Sequence, residues 1–312
     1  MMGLQTTWRF VRDTIDRFLF ESPDPFIVPV LRIGFAVIVL IHTAVLWPDA
    51  ERWFTDAGVL QSSTAQSIVG SHGWSVLSWL PSNALTIQAC LAAMGLSAVL
   101  MLLGVFSRVQ SAAIWVWLVS FQNRNPFLND GEDVVMRLFA FFLIWMPLDR
   151  GWSLIRRRSA LKTSSNVSST AWGLRLMQFE MAALYASTAI CKWGGDTWHQ
   201  GTATWYVARM GDNFGRWIPE AWFDWPLFYR STTWGALAIE AILPIALWFR
   251  WTRKWAILAG LALHLGIELS MNLFLFQWLM ILGLLAFVVP SEWIPKRNSR
   301  SQPSSDLTEP AT

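Results

Sequence analysis

Apolar residues are concentrated in long runs along the chain, and short polar stretches separate one run from the next. The runs lie near residues 27–47, 85–104, 108–121, 134–148, 172–191, 232–249, 255–271 and 273–290. A helix needs roughly 20 apolar residues to cross a bilayer core about 30 Å thick. The pattern therefore predicts an all-α fold, a polytopic transmembrane helix bundle of about eight spans.

Lysines and arginines are distributed unevenly between the two ends of these predicted spans. Fifteen of them lie at one end and six at the other. Because cytoplasmic loops carry an excess of Lys and Arg, the first end is predicted to be cytoplasmic, with both termini on that side. The predicted domains are a cytoplasmic N-terminal segment (1–26), a transmembrane domain (27–296) and a disordered cytoplasmic tail (297–312).

The composition is typical of a membrane protein and argues against several other classes. The chain is 54% hydrophobic and 14% charged, whereas a soluble domain carries about 25% charged residues. Its 22 tryptophans suit membrane–water interfaces. The net charge of +3 is too small to indicate nucleic-acid binding. The sequence contains no HExxH, CxxC or GxSxG motif and no glycine-rich phosphate loop, and we predict no metal site. Haem ligation by His42 and His264 is an alternative.

Several charged or titratable side chains fall inside the predicted spans. They are Arg32, Arg137, Arg175, Glu180, Glu240, His264 and Glu268. Such groups are costly in a bilayer and normally face a partner or a wet cavity. One interpretation is that they form ion pairs and interhelical hydrogen bonds that hold the bundle together. The other is that some of them belong to a functional site.

Lys192 is the one lysine at the predicted outer ends of the spans. Gln178, Tyr185 and Lys192 are spaced by seven residues, which places them on one face of the fifth span. One interpretation of Lys192 is that its stem snorkels to the lipid head groups. The other is that a partly dry pocket makes it a general base near neutral pH, a role that arginine cannot take.

Further polar residues occur on the seventh span and in the loop before the fourth. His264 and Glu268 are one turn apart and share a face of the seventh span, and Asn272 follows. The loop carries the acidic residues Asp130, Glu132 and Asp133. These carboxylates either bind a cation or orient a substrate, or they belong to a solvated loop.

Four stretches of the chain, in order, resemble a known family. They are RIGFAVIVLIHTAVLWPDAERWFTDAGVL, NRNPFLNDGEDVVMRLFAFFLIWMPLDRGWSL, YASTAICKWGGDTWHQGTA and HLGIELSMNLFLFQWLMILGLLAFVVPSEW. They are similar to segments of the HTTM (horizontally transferred transmembrane domain) proteins, the bacterial relatives of vitamin K-dependent gamma-carboxylase. The resemblance covers about residues 20–296 and implies a multi-pass protein of the bacterial inner membrane.

The resemblance also implies roles for individual residues. In the carboxylase, the lysine of the third stretch is the base that deprotonates reduced vitamin K. This implies that Lys192 is the catalytic base, with Tyr185, Trp198 and Gly201 shaping its turn, and that a reduced quinone of vitamin K type is a candidate cofactor. The chain departs from the family pattern at Ala189, where a glycine is usual, and in the acidic loop, where the family has a histidine. It also lacks the large lumenal domain of the carboxylase, so we do not expect a propeptide-guided substrate.

Two functions follow as hypotheses. The first is an enzyme of carboxylase or oxygenase type in the lipid bilayer, which acts on a hydrophobic small molecule with Lys192 as its base. The substrate-binding residues predicted for it are Tyr185, Gln178, Trp198, His264, Glu268 and Asn272. The second is a non-catalytic accessory or scaffold protein, for example for an exported peptide or toxin system. A transporter would show broken spans at matching places in two halves, a pattern that the sequence does not have.

Overall fold

The computed structural model describes residues 2–20, 26–70, 73–149, 152–153, 171–211 and 217–293. The predicted tail, 297–312, lies outside the described residues. The elements of the described residues are helices, which confirms the all-α prediction. In chain order they are α1 (Met2–Phe20), α2 (Ile27–Leu46), α3 (Ala50–Phe54), α4 (Ser62–Val69), α5 (Ala84–Leu102), α6 (Ser107–Arg124), α7 (Gly131–Ile144), α8 (Trp172–Trp193), α9 (Asp196–His199), α10 (Ala203–Val207), α11 (Pro226–Ala246), α12 (Arg250–Ser270), α13 (Phe276–Leu285) and α14 (Pro290–Trp293), with short 3-10 helices at Val76–Trp79, Pro126–Leu128 and Glu220–Asp224.

Polar and restrictive residues begin several of these helices. The Asn83 side chain accepts a hydrogen bond from the backbone N–H of Thr86 and caps α5. Asp130 and Asp133 cap each other's backbone N–H groups at the start of α7. Pro226 occupies the first turn of α11, where a missing N–H costs nothing. Local sequence therefore places the start of each of these helices.

The long helices pack side by side around α13. Helix α13 contacts α2, α7, α8 and α12, and α8 packs along most of α11. Gly283 permits the close approach of α13, because a Cβ at that position would lie 2.3 Å from Met181 Sδ and 2.9 Å from Phe139 Cζ. Helix α13, which is short and mostly buried, thus lies at the centre of the bundle.

Two of the intraspan arginines hold the bundle together. Arg32 is fully buried, and its guanidinium donates to the carbonyl oxygens of Leu148 (2.8 Å) and Trp152 (2.7 Å). Arg175 donates to the carbonyl oxygen of Phe18 (2.9 Å) and lies over the Phe18 ring, which ties α1 to α8. For these two residues the structural interpretation accounts for the contacts.

The outer surface of the long helices is apolar, and the largely apolar interior also holds buried polar side chains. Ile190, Ile242 and Leu96 are exposed on α8, α11 and α5, whereas Gln277 and His264 are buried. The eight predicted spans coincide in position with α2, α5, α6, α7, α8, α11, α12 and α13. Among the described helices, α2 and α5 meet the length and apolarity that crossing a membrane requires. Eight crossings, and the side on which the termini lie, stay predictions.

Candidate functional site

Lys192 lies in the last turn of α8 and forms an ion pair with Glu240 on α11. Its Nζ is 2.5 Å from Oε1 and 2.6 Å from Oε2 of the Glu240 carboxylate. The same Nζ is 4.9 Å from the centre of the Trp198 ring, which is the range of a cation–π contact. The Lys192 side chain is 27% exposed and that of Glu240 is 7% exposed. The carboxylate is therefore enclosed, while the ammonium reaches the surface.

A chain of buried hydrogen bonds begins at Tyr185, two turns before Lys192 on α8. Tyr185 Oη lies 2.7 Å from His264 Nε2, and His264 Nδ1 lies 2.6 Å from Gln277 Oε1. The carboxamide oxygen of Gln277 can only accept, so Nδ1 carries the proton and Nε2 accepts from the Tyr185 hydroxyl. All three side chains are buried. The chain joins α8, α12 and α13 and fixes the orientation of the imidazole.

The ion pair and the hydrogen-bond chain form one cluster. Tyr185 and Lys192 lie two turns apart on one face of α8, so the hydrogen-bond chain and the ion pair share that face. We refer to Lys192, Glu240, Tyr185, His264 and Gln277 as the Lys192 centre. The centre combines the buried carboxylate of Glu240, the buried phenol of Tyr185 and the His264 imidazole with the amine of Lys192, which reaches the surface. Such an arrangement is suited to proton transfer.

An apolar groove runs beside this centre along α8 and α11. It has a volume of about 600 Å³. Alanines from both helices form its floor, and tryptophans lie at one end, in a lining that includes Ala186, Ala189, Trp193, Trp234, Ala238 and Ala241. Trp193 and Ala241 are the sequence neighbours of Lys192 and Glu240, whereas the two charged side chains are not part of the lining. The small side chains leave space for a flat apolar molecule.

The turn after α8 places Trp198 over Lys192. Gly194 and Gly195 separate α8 from the short helix α9, which carries Trp198. Gly201 follows with a φ of +70°, and a Cβ there would lie 2.6 Å from Trp234 Nε1. Glycine is required at this position both by the backbone conformation and by the contact with α11.

The family of this chain follows from a comparison with family models. The model described as the HTTM domain matches residues 20–293. The chain belongs to the HTTM-domain family. This confirms the family predicted from the four sequence stretches, and the match includes the whole Lys192 centre. No curated protein and no solved structure matches the chain.

The structure of the HTTM domain brings together some of the predicted binding residues. Tyr185, His264 and Trp198 lie in the Lys192 centre or against it. Gln178 does not: it lies fourteen residues before Lys192 on α8, about 21 Å along the helix axis. Its amide nitrogen donates to the carbonyl oxygen of Ala286 (2.7 Å), and its amide oxygen accepts from an arginine one turn away. Gln178 is thus part of a separate contact.

Glu268 and Asn272 lie at a different cavity of the HTTM domain. This cavity, of about 490 Å³, lies between α2, the end of α12 and α13, and both residues line it with Phe274 and Trp278. Glu268 is buried, and Asn272 is exposed. The two side chains therefore face a lateral opening rather than the Lys192–Glu240 pair.

The acidic residues before the fourth predicted span are placed by α7. Asp130 is the N-cap of that helix, and Glu132 and Asp133, in its first turn, are both buried. The interpretation as a solvated loop is wrong for Glu132 and Asp133, because α7 begins at Gly131 and turns both carboxylates into the bundle.

Sequence reasoning missed two members of the centre. Glu240 is recognisable in the sequence as an intraspan charge, but nothing in the sequence pairs it with Lys192, 48 residues away. Gln277 lies in a strongly apolar stretch, where a lone amide gives little signal. The signal that could have indicated Gln277 is its position on the last predicted span, at the same depth as His264 on the preceding span.

Proposed function

We propose that this HTTM protein is an integral membrane enzyme that takes a proton from a hydrophobic, quinol-type molecule at the Lys192 centre. The observation that carries the proposal is the contact of Lys192 with both oxygens of an enclosed Glu240, at the one place where the centre reaches the surface. The resemblance of the surrounding segment to the lysine segment of vitamin K-dependent gamma-carboxylase supports the assignment of Lys192 as the base.

The distribution of polarity over the long helices supports the proposal of a membrane protein. Apolar side chains cover the outside of α5, α8 and α11, and hydrogen-bonded polar groups lie inside. Lipid favours such an arrangement, because buried polar groups then find partners and the exterior needs none. All eight long helices after α1 are proposed to cross the bilayer, with both termini cytoplasmic and the Lys192 end of α8 at the outer face of a bacterial inner membrane.

The groove between α8 and α11 fits an apolar ring system. It is lined by apolar side chains, among them Trp193 and Ala241, the sequence neighbours of Lys192 and Glu240. A reduced quinone supplies an acidic O–H group and the electrons for the later reduction of oxygen. A ring bound in the groove contacts Ala189, one turn before Lys192 in α8, and Ala241, next to Glu240 in sequence, and the tryptophans of the groove cover it at the membrane interface.

The Lys192–Glu240 pair supplies the base in two steps. A proton passes from Nζ to the carboxylate across 2.5 Å, which leaves a neutral amine beside a neutral carboxylic acid. This form gains in a dry site, where two separated charges are costly. The amine then accepts the proton of the ligand hydroxyl and passes it to water from its exposed end. The acid on Glu240 returns its own proton to the neutral amine, which restores the ion pair. Tyr185 and His264 hold the far side of the site fixed.

The experiment is quinol oxidation by purified protein in lipid nanodiscs. The substrate is a reduced naphthoquinone, and its consumption with oxygen is compared between wild type, Lys192→Ala and Glu240→Gln. Lys254→Ala is a matched control, because Lys254 also lies over a tryptophan ring (5.0 Å from the centre of Trp293) but at the other end of the bundle. We expect a loss of at least about 100-fold for Lys192→Ala, the usual contribution of a general base, and wild-type rates for the control. Wild-type protein no faster than protein-free nanodiscs, or an undiminished rate for Lys192→Ala, contradicts the proposal.

The same contact between Lys192 and Glu240 also supports a second function, that of a non-catalytic accessory protein. A bidentate ion pair between α8 and α11 is also what a structural clasp would look like. The exchanged pair Lys192→Glu with Glu240→Lys separates the two. A clasp tolerates the exchange, so folding and any support of an exported peptide persist. A base does not tolerate it, because the amine then lies on the enclosed side.

A further inference from the structure

A second polar cavity lies on the other side of α13, between α2, α6 and α7. Its volume is about 190 Å³, and none of its lining residues belongs to the Lys192 centre. The polar lining consists of His42, Gln122, Asn125, Asn129, Glu132 and neighbouring aspartates of α7. Aromatic and aliphatic side chains such as Phe54, Met94 and Phe121 form the remaining walls. We refer to it as the Glu132 cavity.

The carboxamides of the Glu132 cavity direct their N–H groups into the protein. Gln122 Nε2 donates to the carbonyl oxygen of Asp133 (2.9 Å), and Asn129 Nδ2 donates to the carbonyl oxygen of Gln122 (3.0 Å). These partners fix the orientation of both carboxamides. Each partner is a backbone carbonyl oxygen, which can only accept, so the side-chain group that faces it must be the N–H donor. Gln122 is 5% exposed, and no described residue donates a hydrogen bond to its Oε1. The Gln122 amide oxygen is therefore left to face the cavity, whereas that of Asn125 accepts from the backbone N–H of Phe127 (3.3 Å).

Glu132 adds a carboxylate oxygen to the same wall. Its Oε2 accepts from the backbone N–H of Leu275 (2.9 Å) and so caps the approach to α13. Its Oε1 lies 3.9 Å from His42 Nδ1, beyond hydrogen-bond distance. Glu132 is 6% exposed. Among the described residues that line the cavity there is no lysine or arginine, so the carboxylate faces an enclosed space with no fixed cation opposite it.

We propose that the Glu132 cavity binds the primary ammonium group of a small organic cation. An ammonium has three donors and no acceptor, which matches a wall of acceptor oxygens. Hydrogen bonds between an ammonium and a carboxylate are charge-assisted and strong, and an enclosed site increases their strength further. The apolar walls receive a short alkyl stem. A metal ion fits less well, because the described residues contain no group of three or more His, Cys, Asp and Glu side chains that could hold one.

The test is calorimetric titration of the full-length protein in detergent micelles with butylammonium, and with butanol and butyrate as matched ligands. Glu132→Gln removes the charge but keeps an oxygen for the Leu275 N–H. Glu240→Gln, in the Lys192 centre, is the control carboxylate. We expect saturable binding of butylammonium alone, at least tenfold weaker in Glu132→Gln and unchanged in Glu240→Gln.

His42→Lys provides a second variant for the case that Glu132→Gln fails to fold. It places an ammonium on α2 beside the carboxylate, and we expect it to abolish binding of butylammonium. No saturable binding to the wild type beyond that to empty micelles, equal binding of butanol, or unchanged binding in folded Glu132→Gln or His42→Lys overturns the proposal. The outcome does not depend on quinol oxidation, so it can fail while the proposed function stands.

Discussion

The ammonium of Lys192 lies within 2.6 Å of both carboxylate oxygens of Glu240, and only the lysine reaches the surface. Removal of Lys192 and removal of Glu240 should therefore differ in their cost to stability. Lys192→Met leaves an enclosed carboxylate without its cation, whereas Glu240→Gln leaves an ammonium that can turn outward. We expect Lys192→Met to lower the melting temperature more than Glu240→Gln in thermal unfolding at neutral pH. The opposite order would show that the carboxylate is solvated.

Removal of the Tyr185 hydroxyl should destabilise the protein without a change of packing. Tyr185→Phe leaves His264 Nε2 buried with no donor, at a cost of about 1–3 kcal/mol. Tyr206→Phe is the matched control: that side chain is exposed, and we expect a change within about 0.5 kcal/mol. Denaturation in mixed micelles measures both. Equal unfolding free energies for the two variants would contradict the buried hydrogen bond.

The turn that carries Trp198 should depend on Gly201. Gly201→Ala combines a positive φ with a Cβ 2.6 Å from Trp234 Nε1, so we expect a loss of about 1–3 kcal/mol. Gly235→Ala tests the same chemical change in the neighbouring helix, where a Cβ meets nothing within 4 Å. There we expect a gain of up to about 1 kcal/mol, because alanine favours a helix interior. Thermal unfolding of the two variants should shift in opposite directions, and a common direction would count against the strained turn.

Asp56 should confer a pH-dependent stability on the loop between α3 and α4. Its carboxylate accepts hydrogen bonds from the hydroxyl (2.6 Å) and backbone N–H (2.7 Å) of Ser62 and pairs with Arg124 (3.1 Å). These contacts, the Ser62 hydroxyl first, lower the pKa of Asp56 below its ordinary value of 3.8. A lowered carboxyl pKa stabilises the fold above the unfolded value, and the contribution is lost as the pH falls through the folded value.

The measurement for Asp56 is the melting temperature of wild type and Asp56→Asn between pH 7 and pH 3. We expect the wild type to be the more stable at pH 7 and the difference to shrink below the ordinary pKa of 3.8. Asp49→Asn is the control, since the Asp49 side chain makes no capping hydrogen bond to α3. A difference that is constant over the whole range would show that the Asp56 contacts do not depend on its charge.

The positions of the helices along the chain were predictable from the sequence, but which helices pack against each other was not. The apolar runs fixed the positions of the long helices, because each run has the length of a helix and ends at polar residues. The Lys192–Glu240 contact depends on which helices are adjacent, and a period of 3.6 residues says nothing about that. Gln178 shows the same limit from the other side: it shares the predicted face with Lys192, yet its partner is the carbonyl oxygen of Ala286 on another part of the bundle.

Chemical rescue of Lys192→Ala is the most direct measurement of the central claim, that the Lys192 amine is the base. The truncated side chain leaves room beside Glu240 and Trp198, and a small primary amine such as methylamine can enter it from the surface. We expect methylamine to accelerate quinol oxidation by Lys192→Ala at least tenfold in a saturable manner, and to leave wild type and Lys254→Ala unaffected. A Lys192→Ala rate that does not respond to the amine, in a protein that is folded and binds the quinol, would contradict it.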